Sequence, residues 1–182
     1  MPVSSNVSPQ RKPPFLEIAM YFRIKFTSTA IAVILTAVSA HCFSQDLIHE
    51  RKIHLIWMGG SDCPPCENWR RFELPKLKES PEFKKIKFSY VIKVIKSSVP
   101  PTFFLPDDVK PYKNYLDEAS SGRAGSPQAA VLVDGKVYDY FQGTRSAEEL
   151  EKMFLAIRTD TAYPFKRCIK ASKQWNQCDI AG

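Results

Sequence analysis

Long runs of lysine and arginine are missing from the 182 residues, and basic residues do not alternate with aromatics. That excludes a nucleic-acid footprint despite a formal charge of +7, because a binding face of that kind needs its basic residues concentrated. Part of the excess is N-terminal. Residues 1–45 hold Arg11, Lys12, Arg23 and Lys25 against Glu17, which leaves 22 basic and 18 acidic residues of mixed order beyond. Histidine is scarce as well: His49 and His54 flank the first strand without other ligand types nearby, and His41 belongs to the leader. No histidine metal site follows from that pattern. The strongly apolar run Ala30-Ile31-Ala32-Val33-Ile34-Leu35 falls short of the ~20 residues of a membrane span. A lipid-attachment pattern is missing too, since Cys42 follows Ser39-Ala40-His41 without a leucine. What is present suffices for one domain with extensions: 44% of residues are hydrophobic and 12% aromatic.

Five cysteines, Cys42, Cys63, Cys66, Cys168 and Cys178, take their meaning from the compartment. The N-terminus supplies it. Residues 1–19 are polar and proline-bearing, an over-long start or a dispensable extension, with Met20 a candidate true start. A basic lead through Arg23 and Lys25, an uncharged stretch from Phe26 to Ala40 and small residues at Val38-Ser39-Ala40 follow. Residues 20–45 thus read as a secretory signal peptide. The alternative is an uncleaved anchor that tethers the chain to an inner membrane by residues 20–42. Cleavage after Ala40 leaves five cysteines, whereas cleavage after Ser44 or Gln45 leaves the even number that suits an exported protein. The mature chain is expected in a bacterial periplasm or secreted.

The most informative stretch is Trp57-Met58-Gly59-Gly60-Ser61-Asp62-Cys63-Pro64-Pro65-Cys66. An apolar run breaks at two glycines, a C-x-x-C pair follows, and the chain then turns helical with Trp69, Phe72 and Leu74. Strand, turn, cysteine pair and helix suit a dithiol redox site. A helix N-terminus favours the thiolate that thiol–disulfide exchange requires. A lone C-x-x-C pair also binds zinc, so the pair by itself leaves both readings open.

The spacing predicts a strand over 52–58, a helix over 65–74 that Pro75 kinks or ends, and a helical piece over 76–83 interrupted by Pro81. It further predicts a strand over 86–94 and a helix over 108–119 capped by Asp107, with Val109, Tyr112, Tyr115 and Leu116 as core contacts. Asp134-Gly135 marks a two-residue hairpin turn. Ser146 with Glu149 forms a capping box before a helix carrying Leu150, Met153, Phe154 and Ile157 on one face. The order β-α-β-α-β-β-α predicts an α/β fold, a central mixed sheet flanked by helices. The domain is placed at 46–160, with an extended segment before its third strand. Residues 161–182 form a tail in which Cys168 and Cys178 read as a structural disulfide, or alternatively as an auxiliary redox pair.

Over roughly residues 50–158 the chain resembles the thioredoxin superfamily, in particular its exported bacterial thiol–disulfide oxidoreductases. The resemblance rests on Cys63-Pro64-Pro65-Cys66 after a strand, on Ser126-Pro127 before Ala130-Val131-Leu132-Val133-Asp134-Gly135-Lys136, and on Gly143 before the last helix. It implies that Pro127 is a cis-proline facing the dithiol. It also implies that Cys63, exposed at the helix start, attacks a substrate disulfide and that Cys66, more buried, resolves the mixed disulfide. Ser126 and Pro127 would line the substrate groove, and the chemistry needs neither a metal nor an organic cofactor. Partners implied are exported proteins with thiols or disulfides and a membrane or periplasmic electron-transfer protein, with the chain a monomer.

Two positions depart from the family pattern: Asp62 stands where a tryptophan precedes the first cysteine, and Trp57 stands where a buried acid serves the resolving thiol. Pro64 and Pro65 have no N–H to offer Cys63, and Asp62 opposes a thiolate beside it. Weak thiolate stabilisation predicts a low potential, hence a reductant or interchange protein. Arg70 and Arg71 would weaken that expectation if they folded toward the site. The rival reading is a redox-inactive binding or chaperone module in which Cys63–Cys66 is a structural disulfide.

Overall fold

The computed structural model describes residues 50–174 and 177–182, all within one compact unit, Ile48–Gly182. The expectations for residues 1–19, for the leader or anchor over 20–45, and for Cys42 lie outside the described residues. Four strands, β1 (Ile53–Gly59), β2 (Lys87–Ile92), β3 (Gln128–Val133) and β4 (Lys136–Gln142), form a sheet of order β2-β1-β3-β4. β1 runs parallel to β2 and antiparallel to β3, and β3 and β4 make an antiparallel hairpin. The fold is therefore α/β, a mixed sheet flanked by helices.

β1 is central, so both of its faces are buried, and its seven residues are apolar but for His54 and Gly59. Ile53, Leu55 and Trp57 join a core with Trp69, Leu77, Leu150, Met153, Phe154 and Ile157. Ile56 and Met58 point the other way, to Val109, Leu116, Leu132 and Tyr140. This division follows from the two-residue repeat of a strand. Each such buried aliphatic or aromatic side chain contributes about 1.5–3 kcal/mol.

Helix α1 (Pro64–Asn68) does not end at Pro75. A π-helical turn, Trp69–Glu73, leads directly into α2 (Leu74–Glu79). The Leu74 N–H bonds to the Trp69 carbonyl, one residue further back than in an α-helix, and this widened turn brings Pro75 into the first turn of α2, where its missing N–H is harmless. β2 is shorter than predicted; its ladder to β1 ends with the Lys93 N–H on the Gly59 carbonyl at 3.1 Å.

The helix predicted over 108–119 begins later. A 3-10 turn at Lys110–Tyr112 precedes α3 (Lys113–Ser120). Asp107 does not cap it; its carboxylate accepts from Lys110 Nζ at 2.6 Å, while the Val109 and Lys110 N–H groups go to the Pro106 carbonyl. Tyr115 is half exposed, unlike Val109 and Leu116. Helix α4 (Ala147–Thr159) carries the predicted Ser146–Glu149 capping box. Asp134 and Gly135 both have positive φ, 50° and 82°, as a two-residue hairpin turn requires.

The tail is more ordered than its sequence suggests. It forms a second hairpin, β5 (Cys168–Ala171) and β6 (Cys178–Ala181), closed by a Cys168–Cys178 disulfide. Asp139, 1% exposed on β4, holds this segment. Its carboxylate accepts the Cys168 N–H at 2.8 Å and the Tyr163 hydroxyl at 3.0 Å, with the Arg145 guanidinium at 3.8 Å. Burial pushes the Asp139 carboxyl above the usual range, while those partners pull against it.

Candidate active site

Cys63 and Cys66 are joined in a disulfide at the start of α1. Cys63 caps the helix in an extended conformation, and its sulfur accepts the Cys66 N–H at 3.3 Å. Pro64 and Pro65 occupy the first two helical positions, so the Cys66 N–H takes the place of donors that those residues lack. Cys63 is not exposed as the resemblance implied. Both cysteines are fully buried, the disulfide and the helix cap turning Cys63 inward onto the Cys66 amide.

Gly59 and Gly60 let the chain pass close to the pair. A Cβ on Gly59 would lie 3.0 Å from both Cys66 Sγ and Tyr90 Oη, and one on Gly60 would overlap the Lys93 carbonyl oxygen. Asp62 is exposed, and its carboxylate accepts the Ile95 N–H at 3.3 Å. Arg70 does lie on this side of the molecule. It pairs with Glu67, and its charge is felt at the Tyr90 hydroxyl. Arg71 stacks over Phe72 instead, 5.4 Å from the ring centre.

Trp57, at the position of the missing acid, lies face to face with Trp69, with ring centres 3.7 Å apart and planes 10° from parallel. Trp69 Nε1 donates to the Arg145 carbonyl at 2.7 Å. The Trp57 indole N–H and the Tyr90 O–H are buried without acceptors. Burial raises the Tyr90 pKa, and the nearby Arg70 cation pulls it down.

The Ser126–Pro127 peptide bond is cis. Met58 pairs with Gln128 at the end of the β1–β3 ladder, so Pro127 falls beside Gly59 in register. Pro127 is buried, Ser126 is partly exposed with its hydroxyl unpartnered, and the Gly143 N–H bonds to the Pro127 carbonyl at 3.0 Å. Lys93 anchors this loop. Only 5% exposed, it donates from Nζ to the Gly125 carbonyl at 2.8 Å and to Gln128 Oε1 at 2.9 Å. Gln128 in turn donates to the Arg123 carbonyl at 3.0 Å. Burial lowers the Lys93 pKa to about 8. Sequence reasoning missed Lys93, although a lysine inside the run Tyr90-Val91-Ile92-Lys93-Val94 was a signal for a buried, paired cation.

Cys168–Cys178 sits apart in the tail hairpin. The arrangement at the sheet end is a strand, a cysteine pair at a helix start and a cis-proline on the neighbouring strand. No family model matches the chain, and no curated protein matches it. Among solved structures it is similar to the reduced C-terminal domain of DsbD from Neisseria meningitidis, at 16% identity and a TM-score of 0.36. That match covers 59% of this chain and 82% of the DsbD chain.

Proposed function

We propose that the chain is a thiol–disulfide oxidoreductase that reduces or interchanges disulfides of exported proteins through Cys63 and Cys66. The observation that carries this reading is the Cys63–Cys66 disulfide at the start of α1, with the Cys66 N–H on Cys63 Sγ and Pro127 next to Gly59. In the reduced protein, the Cys63 thiolate attacks one sulfur of a substrate disulfide and expels the other as a thiolate, which takes up a proton. Cys66 then attacks Cys63 Sγ, closing the internal disulfide and releasing the second substrate sulfur. Two electrons pass to the substrate, and a membrane or periplasmic donor returns them. Ser126 and Pro127 border the substrate segment. A groove of about 450 Å³ lined by Pro65, Asn68, Trp69, Phe72, Thr144 and Arg145 offers room beside α1.

A single helix N–H on Cys63 favours a low potential and hence a reductant. The place of action proposed is the periplasm or the exterior, with the chain a monomer. A second reading, a binding module with a structural Cys63–Cys66 bond, draws support from the full burial of Cys63 and from Trp57 in place of an acid.

Insulin reduction in dithiothreitol separates the two. Catalysis by the wild type that falls to the background rate in Cys63→Ala supports the oxidoreductase, and background rates from both support the binding module. Equilibration of the pair with glutathione then reads the direction. A potential near about −270 mV marks a reductant, and one near about −120 mV overturns that part of the proposal.

A further inference from the structure

Tyr90 brings its hydroxyl to the sheet end beneath the dithiol, and nothing in the exchange chemistry above uses it. The hydroxyl is buried and its proton has no acceptor, while the Arg70 guanidinium acts on its oxygen as a donor. That oxygen stands 3.0 Å from the point where a Gly59 Cβ would be, and Cys66 Sγ stands 3.0 Å from that same point. Glycine at 59 therefore leaves one small space flanked by a phenol and by the resolving sulfur. A buried donor without an acceptor is unfavourable by about 1–3 kcal/mol, and such a group calls for an explanation, a redox role among them. The disulfide sulfur of Cys66 is a poor acceptor. Reduction frees it from Cys63 and gives it a charge.

We propose that the Tyr90 hydroxyl donates a hydrogen bond to the Cys66 thiolate of the reduced protein, and so sets how readily Cys66 resolves the mixed disulfide. The inference rests on the oxidoreductase reading for its purpose, though not for its geometry. Tyr90 keeps its proton throughout. The Cys66 proton leaves to solvent, the Cys66 thiolate forms the bond to Cys63 Sγ, and the Cys63–substrate bond breaks with its electron pair on the substrate sulfur.

Trp57, the cross-strand partner of Tyr90, is an indole stacked on Trp69 and accepts no proton. Other charged groups around the space have fixed partners. Arg70 and Glu67 face the hydroxyl from the helical side and pair with each other. The Lys93 ammonium is turned to Gly125 and Gln128, and the Asp62 carboxylate to the Ile95 amide. Burial holds the proton on the phenol, and the Arg70 cation offsets part of that.

The test uses the full chain with Cys63→Ala, which leaves Cys66 a free thiol, compared with the same chain carrying Tyr90→Phe. Alkylation of Cys66 by iodoacetamide is followed from pH 5 to 10 by mass spectrometry of the Cys66 peptide. Loss of a hydrogen bond to a charged sulfur moves the midpoint up by about one unit and slows alkylation about tenfold below it. An unmoved midpoint overturns the proposal, since a purely packing role for the ring would leave the titration where it was. Should Tyr90→Phe fail to fold, Tyr90→Met carries the same comparison. The readout needs no substrate. Insulin reduction with an unmoved midpoint refutes the role of Tyr90 alone, whereas a shifted midpoint without insulin reduction supports that role and refutes the proposed function.

Discussion

Replacing Lys93 by methionine isolates the electrostatics of the Pro127 loop. The ammonium is 5% exposed, and burial lowers its pKa from 10.5 to about 8. In the unfolded chain the group holds its proton up to pH 10.5, so between the two values the unfolded state binds more protons than the folded one. Stability of the wild type therefore rises with pH through this window, and the contribution is lost as pH falls through 8. Over the full span the shift corresponds to roughly 3 kcal/mol, of which about 1 kcal/mol accrues between pH 7 and 9. Lys93→Met has no such group, and its stability lacks that rise. At pH 7 the substitution also leaves the Gly125 carbonyl and Gln128 Oε1 without their donor, which acts against the relief of removing a buried charge. The slope is thus the cleaner quantity than the level. Urea unfolding of the oxidised wild type and of Lys93→Met at pH 7, 8 and 9 measures it. Parallel profiles for the two proteins would refute the assignment of Lys93 as a buried, depressed ammonium.

Two further changes probe the tail hairpin and the core beside the dithiol. Asp139→Ala strands the Cys168 N–H and the Tyr163 hydroxyl inside the protein; urea unfolding should show a loss of about 3 kcal/mol, and the Cys168–Cys178 bond should reduce faster in dithiothreitol. Trp69→Phe keeps an aromatic ring against Trp57 and removes the hydrogen bond to the Arg145 carbonyl, with an expected loss of about 1–2 kcal/mol in the same assay.

Local chemistry made much of this protein legible in one dimension. Cys63-Pro64-Pro65-Cys66 after an apolar run marked the dithiol, Asp134-Gly135 marked the hairpin, and Ser146 with Glu149 marked the start of α4, because turns and caps depend on residues within four positions of one another. Those same short-range rules misjudged the helix that begins at Lys113, where the Asp107 side chain went to Lys110 instead of the helix start. They allowed Pro75 to kink or end the helix, and a π turn carries it without an end. The rest belongs to the tertiary structure. Burial of Cys63, the Trp57–Trp69 stack, the anchoring of the Pro127 loop by Lys93 and the space shared by Tyr90 and Cys66 join residues far apart in the chain. Sequence alone determined which groups could do redox chemistry. Only folding decided which of them lost their water and which partners replaced it, because desolvation is a property of the packed neighbourhood and not of the residue.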